Sequence, residues 1–172
     1  MNYYEPFTNF EVIANKSYIK DRADGGKFTI VTIKAPTGEK YSGTAIINPE
    51  DMDYFRPLTG YRIAENRAYI KYLKDRLMKI KYHKWVLNYL QVKDTARSGS
   101  VYSNREQRDI NHKIIELSKE IKEGKKKILD AYKLIDSIVT ERWKVIDKIE
   151  ARAEKNQKRQ EIVDAIRAGQ NS

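Results

Sequence analysis

The stretch TGYRIAENRAYIKYLKDRLMKIKYHKWVLNYL, residues 59–90, decides the fold predicted for the rest of the chain. Its seam residues recur every seven positions in two series offset by three, the spacing of a helix packed lengthwise along another helix. The first series is Ile63, Ile70 and Leu77, and the second is Asn66, Leu73, Ile80 and Leu87. We therefore predict a helix with Thr59 as its N-cap that ends at about Val92.

A second long helix is predicted after the polar loop KDTARSGSVYSN, residues 93–104. Ser103 or Asn104 can cap this helix, and Glu106 is placed to support the cap. Its apolar residues recur at steps of mostly three and four as far as Ile138, and they continue after a one-residue shift. The shifted series is Val139, Trp143, Ile146, Ile149 and Ala153.

The course of the second helix has two alternatives, which differ at Gly124. Either the helix is continuous, or it breaks near Gly124 and folds the tail into a third helix. A glycine inside a helix costs only about 1 kcal/mol relative to alanine, so the residue is compatible with both. In a continuous helix the apolar positions from Ile135 to Ala153 would extend beyond the first helix, which favours a homodimer that covers them.

The first third of the chain predicts strands. The segment KFTIVTIK, residues 27–34, has apolar residues on both faces, as a central or doubly covered strand does. Turn signals flank it, ADGG at residues 23–26 and APTGEK at residues 35–40. The neighbouring strands are then NFEVIANKSYI, residues 9–19, and YSGTAIINP, residues 41–49. Such a three-stranded sheet needs a helix over one face to be stable.

These patterns together predict an α+β fold, with a small N-terminal antiparallel β-sheet followed by a long antiparallel helical hairpin that resembles a coiled coil. Residues 1–58 would form the small β-domain with its linker. Residues 59–172 would form the helical hairpin or bundle, because a short loop joins neighbouring helices of opposite direction.

Composition limits the classes of protein to which the chain can belong. It has no cysteine, so disulfides, thiolate catalysis and cysteine metal sites are excluded, and a reducing cytoplasm fits. Its first residues, MNYYEPFTNF, have neither the basic nor the apolar region of a signal peptide. No apolar run approaches the roughly 20 residues of a membrane span. We therefore expect a cytoplasmic protein with no membrane partner.

The positive charge is concentrated in the first helix. The whole chain has a net charge of +10, of which residues 61–100 contribute +7, with 10 Lys and Arg against 3 Asp and Glu. A field directed in this way attracts nucleic acid or an acidic protein face. Five residues share one flank of the helix and are our candidate binding residues for a partner or nucleic acid: Arg67, Lys71, Lys74, Lys81 and Trp85.

Two interpretations of this flank remain open. Tyrosines lie on neighbouring faces, and a row of cations beside aromatic rings is typical of surfaces that bind phosphates and unpaired bases. The other interpretation is a solvated helix face, on which the lysine stems shield the core.

The sequence contains no pattern typical of catalysis. Glu50, Asp51 and Asp53 form one acidic cluster, and acids that favour the dipole at a helix entry explain it as well as a metal does. His83 and His112 lie in no zinc motif, and no nucleophile elbow, phosphate loop or dinucleotide fingerprint is present. We predict no enzyme, no catalytic residue, no metal site and no cofactor.

The run INPEDMDYFRPLTGYRIAENRAYIKYLKDRL, residues 47–77, resembles small, mostly uncharacterised proteins encoded by phages of low-GC Gram-positive bacteria. In these a short β-region runs into an acidic linker and then into a helix start of the pattern Gly-x-x-Ile-Ala-x-x-Arg-Ala. The matching residues are Pro49, Glu50, Asp51, Gly60, Ile63, Ala64, Arg67 and Ala68. Some small phage proteins of similar size and charge are anti-CRISPR or other anti-defence inhibitors. The resemblance transfers no role to any residue.

The functional hypothesis combines the charge with this resemblance. We expect a phage-type protein that inhibits a host nucleic-acid-handling defence nuclease, in the manner of an anti-CRISPR protein, by stoichiometric binding through the basic helix. Its partner would be the nuclease or the nuclease's nucleic acid, guide RNA or DNA. The alternative is a phage nucleic-acid-binding or scaffolding protein without inhibitory action.

Overall fold

The computed structural model describes residues 14–95 and 102–170 and confirms the predicted α+β class. Its elements, in chain order, are strands β1 (Ala14–Asp21), β2 (Lys27–Lys34) and β3 (Lys40–Ile47), a short 3-10 helix (Pro49–Tyr54), and helices α1 (Pro57–Thr95) and α2 (Asn104–Gln170). The three strands form one antiparallel sheet in the order β1-β2-β3. The predicted central strand is therefore central, and β1 and β3 are edge strands.

Both hairpins turn at a glycine whose backbone conformation other residues rarely adopt. Gly25 has a φ of 89° and Gly38 a φ of 90°. In the first turn the Gly25 amide donates to the Arg22 carbonyl at 3.1 Å, and in the second the Gly38 amide donates to Ala35 at 2.9 Å. The two turn signals in the sequence thus mark the two hairpins, because a positive φ is nearly free of steric cost only for glycine.

One face of the sheet packs on α1. Along β2 the side chains of Thr29, Val31 and Ile33 are buried, and the residues between them are half-buried. The α1 residues of this same core are small: Ala64 and Ala68 are fully buried. Small side chains on the helix let its backbone approach the sheet closely.

The closest approach between α1 and the sheet is at Gly43, in the middle of β3. A Cβ atom at this position would collide with the backbone of Ala64 and Ala68. Since only a hydrogen atom fits there, Gly43 and the two alanines together set the distance between β3 and α1.

The other side of α1 packs on the first part of α2. Leu73, Ile80 and Leu117 are almost completely buried in the core that also contains the sheet residues. Three side-chain hydrogen bonds show that the helices are antiparallel, because the residue numbers fall on α1 as they rise on α2. The pairs are Asp94 with Gln107 (3.4 Å), Gln91 with Asn111 (2.8 Å) and Lys74 with Tyr132 (2.8 Å).

The helix starts differ in how well the sequence predicted them. Helix α1 begins at Pro57 rather than after Thr59, so the Thr59 N-cap is wrong. The fixed φ of proline suits a first helical position, and its missing N–H needs no acceptor there. At α2 the capping prediction is confirmed, because the Ser103 amide and hydroxyl both donate to Glu106 Oε2 at 2.8 Å. The Glu106 amide also donates to Ser103 Oγ at 3.3 Å, which completes a capping box.

Helix α2 is continuous through Gly124, which is buried. Beyond it Ile135, Ile138 and Ile146 are buried, whereas Trp143 is half exposed. The predicted one-residue shift after Ile138 agrees with the burial of Ile146, a member of the shifted series, and with the exposure of Val145 at the unshifted position. Val139, Trp143 and Ile149 of the shifted series are exposed.

The chain divides into two compact units, Met1–Leu134 and Ile135–Ser172. The sheet, α1 and the first part of α2 belong to the first unit, so the predicted boundary at residue 58 separates elements that the structure places together. The second unit consists, in its described part, of the remainder of α2. Among helices within the described ranges, none is both long and apolar enough to cross a membrane.

A polar network joins the start of β3 to α1. Lys79 Nζ lies 2.6 Å from Glu39 Oε1 and 3.0 Å from Asp75 Oδ2. The Tyr41 hydroxyl lies 2.8 Å from Glu39 Oε2 and 2.7 Å from Asp75 Oδ2, and its single proton can serve either carboxylate. The hydrogen bond from Lys79 lowers the pKa of Glu39, and the one from Tyr41 lowers the pKa of Asp75. The hydrogen bond to Glu39 raises the pKa of Lys79, and burial raises that of Tyr41.

We expect Gly43→Ala to lower the free energy of unfolding by about 1–3 kcal/mol or more, because the added methyl group must push β3 away from α1. Thr44→Ala, at the next position of the strand, is the matched control and should have a much smaller effect. Equal thermal midpoints for Gly43→Ala and the parent would contradict the close approach.

We expect the network to stabilise the protein at neutral pH and to lose this effect in acid. The carboxyl pKa values of Glu39 and Asp75 are lowered in the folded state, so the stabilisation is present above the ordinary carboxyl values and is lost as the pH falls through the lowered ones. Asp75→Asn should therefore lower the thermal midpoint at pH 7, and the difference from the parent should shrink towards pH 3. A difference that is constant with pH would exclude this role, and Asp130→Asn, at an exposed position of α2, is the control variant.

Candidate partner-binding face of helix α1

Two of the five predicted binding residues close the free edge of the sheet. Arg67 Nη1 donates to the Thr44 carbonyl at 2.6 Å, and Lys71 Nζ donates to the Ser42 carbonyl at 2.6 Å. Four residues of a helix rise about 6 Å, and two residues of a strand extend about 6.8 Å. Two cations four residues apart on α1 therefore lie opposite alternate carbonyls of β3. An edge strand otherwise leaves these groups without partners. Arg67 and Lys71 thus have a structural task.

Lys74, the third predicted residue, joins α1 to α2. Its Nζ donates to the Tyr132 hydroxyl at 2.8 Å and lies 5.3 Å from the centre of that ring. Its charge is therefore held beside an aromatic ring within the hairpin.

Lys81 and Trp85, the remaining two, are exposed beyond the end of the sheet. Among the described residues the Lys81 ammonium has no hydrogen-bond or ion-pair partner. Trp85 stacks on two tyrosines: its ring centre lies 5.9 Å from that of Tyr82 and 5.7 Å from that of Tyr89. The structure thus brings Lys81 and Trp85 to one surface.

These aromatic residues belong to a longer apolar surface, which we call the α1 stripe. It consists of Met78, Tyr82, Trp85, Tyr89 and Val92, whose exposed fractions are 63%, 67%, 59%, 52% and 67%. Their steps of four, three, four and three residues are the spacing of a helix-packing seam. Contiguous apolar surface of this kind typically marks an interaction site.

The tyrosines of α1, predicted to lie on neighbouring exposed faces, are divided by the structure into a buried and an exposed group. Tyr72 is buried in the core, and Tyr69 stacks on it with ring centres 6.2 Å apart. Tyr82 and Tyr89 are exposed. The spacing of the apolar residues from Met78 to Val92 is visible in the sequence. It does not stand out as a separate surface, because the buried seam from Ile63 to Leu87 has the same period.

The charge that α1 itself contributes along the stripe is entirely positive. Residues 78–93 contain Lys79, Lys81, Lys84 and Lys93 and no Asp or Glu. Lys79 is neutralised by Glu39 and Asp75, whereas Lys84 and Lys93, like Lys81, have no ion-pair partner among the described residues. Three uncompensated lysines therefore accompany the stripe.

The residues considered for metal binding or catalysis are not assembled into a site. Glu50, Asp51 and Asp53 lie on the short 3-10 helix, where Glu50 and Asp51 occupy the first turn. Within residues 14–95 and 102–170, no three His, Cys, Asp or Glu side chains are grouped as metal ligands would be. His112 is exposed, with Nδ1 3.6 Å from Glu116 Oε1, an ordinary pair on a helix surface.

Comparison with known proteins does not extend this description. No protein-family model, curated protein or solved structure matches the chain. The resemblance to phage proteins therefore stays a prediction.

We expect Arg67→Met combined with Lys71→Met to lower the free energy of unfolding by about 1 kcal/mol for each lost hydrogen bond. Methionine retains the length of the stems but cannot donate to the β3 carbonyls. Lys81→Met is the matched control and should leave the thermal midpoint unchanged. A double variant as stable as the control would show that water can replace Arg67 and Lys71 at the β3 carbonyls. The two cations would then be available to a partner.

Proposed function

We propose that this protein acts without catalysis, as a binding protein that docks the α1 stripe and its lysines on an acidic surface of a partner protein. The observation that carries the proposal is the α1 stripe itself, five exposed apolar side chains in a row beside lysines that have no ion-pair partner within the described part of the chain. Tryptophan, tyrosine and methionine are enriched in the buried centres of protein interfaces, and cations are suited to the rim.

The composition of the stripe favours a protein partner over a nucleic acid. Unpaired bases bind by stacking on open aromatic faces. Here Trp85 is stacked between Tyr82 and Tyr89, at interplanar angles of 26° and 19°, so the three rings partly cover one another's faces. Met78 and Val92 extend the surface with aliphatic groups, which pack against apolar side chains and offer nothing to a phosphate backbone.

The identity of the partner rests on the resemblance to phage proteins. On that basis we propose that the partner is a host defence nuclease that handles nucleic acid, and that binding in the host cytoplasm inhibits it. A basic helix that occupies an acidic or nucleic-acid-facing surface would compete with the substrate. Arg67, Lys71 and Lys74 would support this helix rather than contact the partner.

The test compares two exposed tryptophans of the same chain. The parent, Trp85→Ala and Trp143→Ala are used to isolate partners from lysate of the bacterial host. Any protein retained by the parent is then purified and titrated by calorimetry. We expect one-to-one binding that Trp85→Ala weakens by at least about 2 kcal/mol, the range of an interface hot spot, and that Trp143→Ala leaves unchanged.

Equal binding by Trp85→Ala and the parent would exclude the stripe as the docking surface. A second arm titrates single-stranded and duplex oligonucleotides at several salt concentrations. Binding that Trp85→Ala abolishes, with an affinity that falls steeply with salt, would favour the nucleic-acid alternative over a protein partner.

A further inference from the structure

The last part of α2 separates its charges onto two sides of the helix. Four exposed cations follow one another at steps of four, three and four residues, so they lie within about 60° of one another around the helix axis. They are Lys148, Arg152, Lys155 and Arg159, and we call them the α2 cation row. The acids of the same stretch lie about 110° or more from the centre of the row. They are Asp147, Glu150, Glu154, Glu161 and Asp164.

None of the four cations of the row has an acid at the helical spacing that would compensate its charge. Opposite charges three or four residues apart stabilise a helix, and like charges at this spacing destabilise it. Every such position beside the row holds a neutral residue or another cation, so Lys148 faces Arg152, and Lys155 faces both Arg152 and Arg159. Among the residues that the structure describes, no cation of the row has an ion-pair partner.

Lys158, a cation outside the row, shows how the same helix compensates a charge. Its Nζ lies 2.7 Å from Glu154 Oε1, one turn earlier on the acidic side. Residues 151–166 are exposed throughout, so a pair of this kind stabilises a stretch of helix that has little packing. The row has no such support and repels itself, and a bound anion would supply the missing opposite charge.

We propose that the α2 cation row binds the phosphate backbone of a nucleic-acid duplex. A strand presents its phosphates as a regular series, and the cations of the row rise by about 6, 4.5 and 6 Å along the helix, so each can contact a phosphate. Phosphate contacts do not read base sequence, and the binding has no sequence preference. The row belongs to the second unit, whereas the α1 stripe of the proposed function belongs to the first.

The composition of the row favours a duplex backbone over other anionic partners. The row contains no aromatic ring on which unpaired bases could stack, and no apolar side chain for the centre of a protein interface. Ile162 and Ile166 continue this side of the helix only beyond Arg159, whereas a helix that lies on a membrane has apolar residues along its length. The acids on the other side would repel a second strand, so the helix lies against one backbone from outside.

The test measures the binding of a labelled DNA duplex of about 20 base pairs by fluorescence anisotropy, from about 50 to about 200 mM salt. Each phosphate contact contributes about 0.9 to the slope of the logarithm of affinity against the logarithm of salt concentration. Four contacts therefore predict an affinity that falls about 100-fold over this range. An RNA duplex should bind with the same salt dependence, because its phosphates are the same.

The row variant combines Lys148→Gln, Lys155→Gln and Arg159→Gln. Glutamine is about as good a helix former as lysine and arginine, so α2 should be retained, which circular dichroism checks. With one contact left, the affinity should fall only about fourfold over the same salt range. The matched control removes the same number of charges from α1 and should retain the salt dependence of the parent. It combines Lys81→Gln, Lys84→Gln and Lys93→Gln.

A pair of single variants tests which side of α2 binds the duplex. Lys155→Gln should lower the salt slope by about 0.9, because one phosphate contact is lost. Lys158→Gln, three residues away on the acidic side, should leave the slope unchanged. Both variants lose one positive charge, so a difference between them cannot come from net charge alone.

Four results would overturn the inference. The parent fails to bind the duplex, or the α1 control loses as much salt dependence as the row variant, or a single strand binds more tightly than the duplex. In the fourth, polyglutamate or vesicles of anionic lipid compete with the duplex at equal concentrations of charge, which assigns the row to an acidic protein or a membrane. The proposed function is separable, because Trp85→Ala should weaken binding of the isolated protein partner and leave duplex binding unchanged.

Discussion

The close approach between β3 and α1 is the constraint on which the rest of the first unit depends. At Gly43 the strand backbone lies so near Ala64 and Ala68 that no Cβ atom fits between them. This contact sets α1 along the outer edge of the sheet as well as over its face. At that distance Arg67 and Lys71 reach the free carbonyls of β3.

The close approach of β3 and α1 also determines what the cations of α1 contact. Where the helix runs beside β3, its positive charges close a sheet edge that would otherwise be open to pairing with another chain. Next along the helix, Lys74 is held on Tyr132 and Lys79 between Glu39 and Asp75. Further along α1, Lys81, Lys84 and Lys93 have no ion-pair partner among the residues that the structure describes. Several of the cations that the sequence concentrates in α1 therefore have partners within the chain.

The position of the α1 stripe follows from the lengths of the elements. Helix α1 has 39 residues and each strand has 8, so the helix is about 58 Å long against about 26 Å for a strand. Its C-terminal half must extend beyond the sheet. There, one flank of the helix packs on α2 through Ile80, while the flank that carries Trp85 is left in solvent.

The sequence by itself determined the order of the elements, the turns at Gly25 and Gly38, the buried seam through Leu73, and the capping box at Ser103. Each of these depends on a local pattern, such as helical period or glycine at a positive φ. Only the tertiary structure decided which cations have partners within the chain. Lys71 is 29 residues from the carbonyl that it binds, and Lys74 is 58 residues from Tyr132. No pattern within one helix encodes such pairs, because a side chain's partners depend on the distance at which two backbones pack.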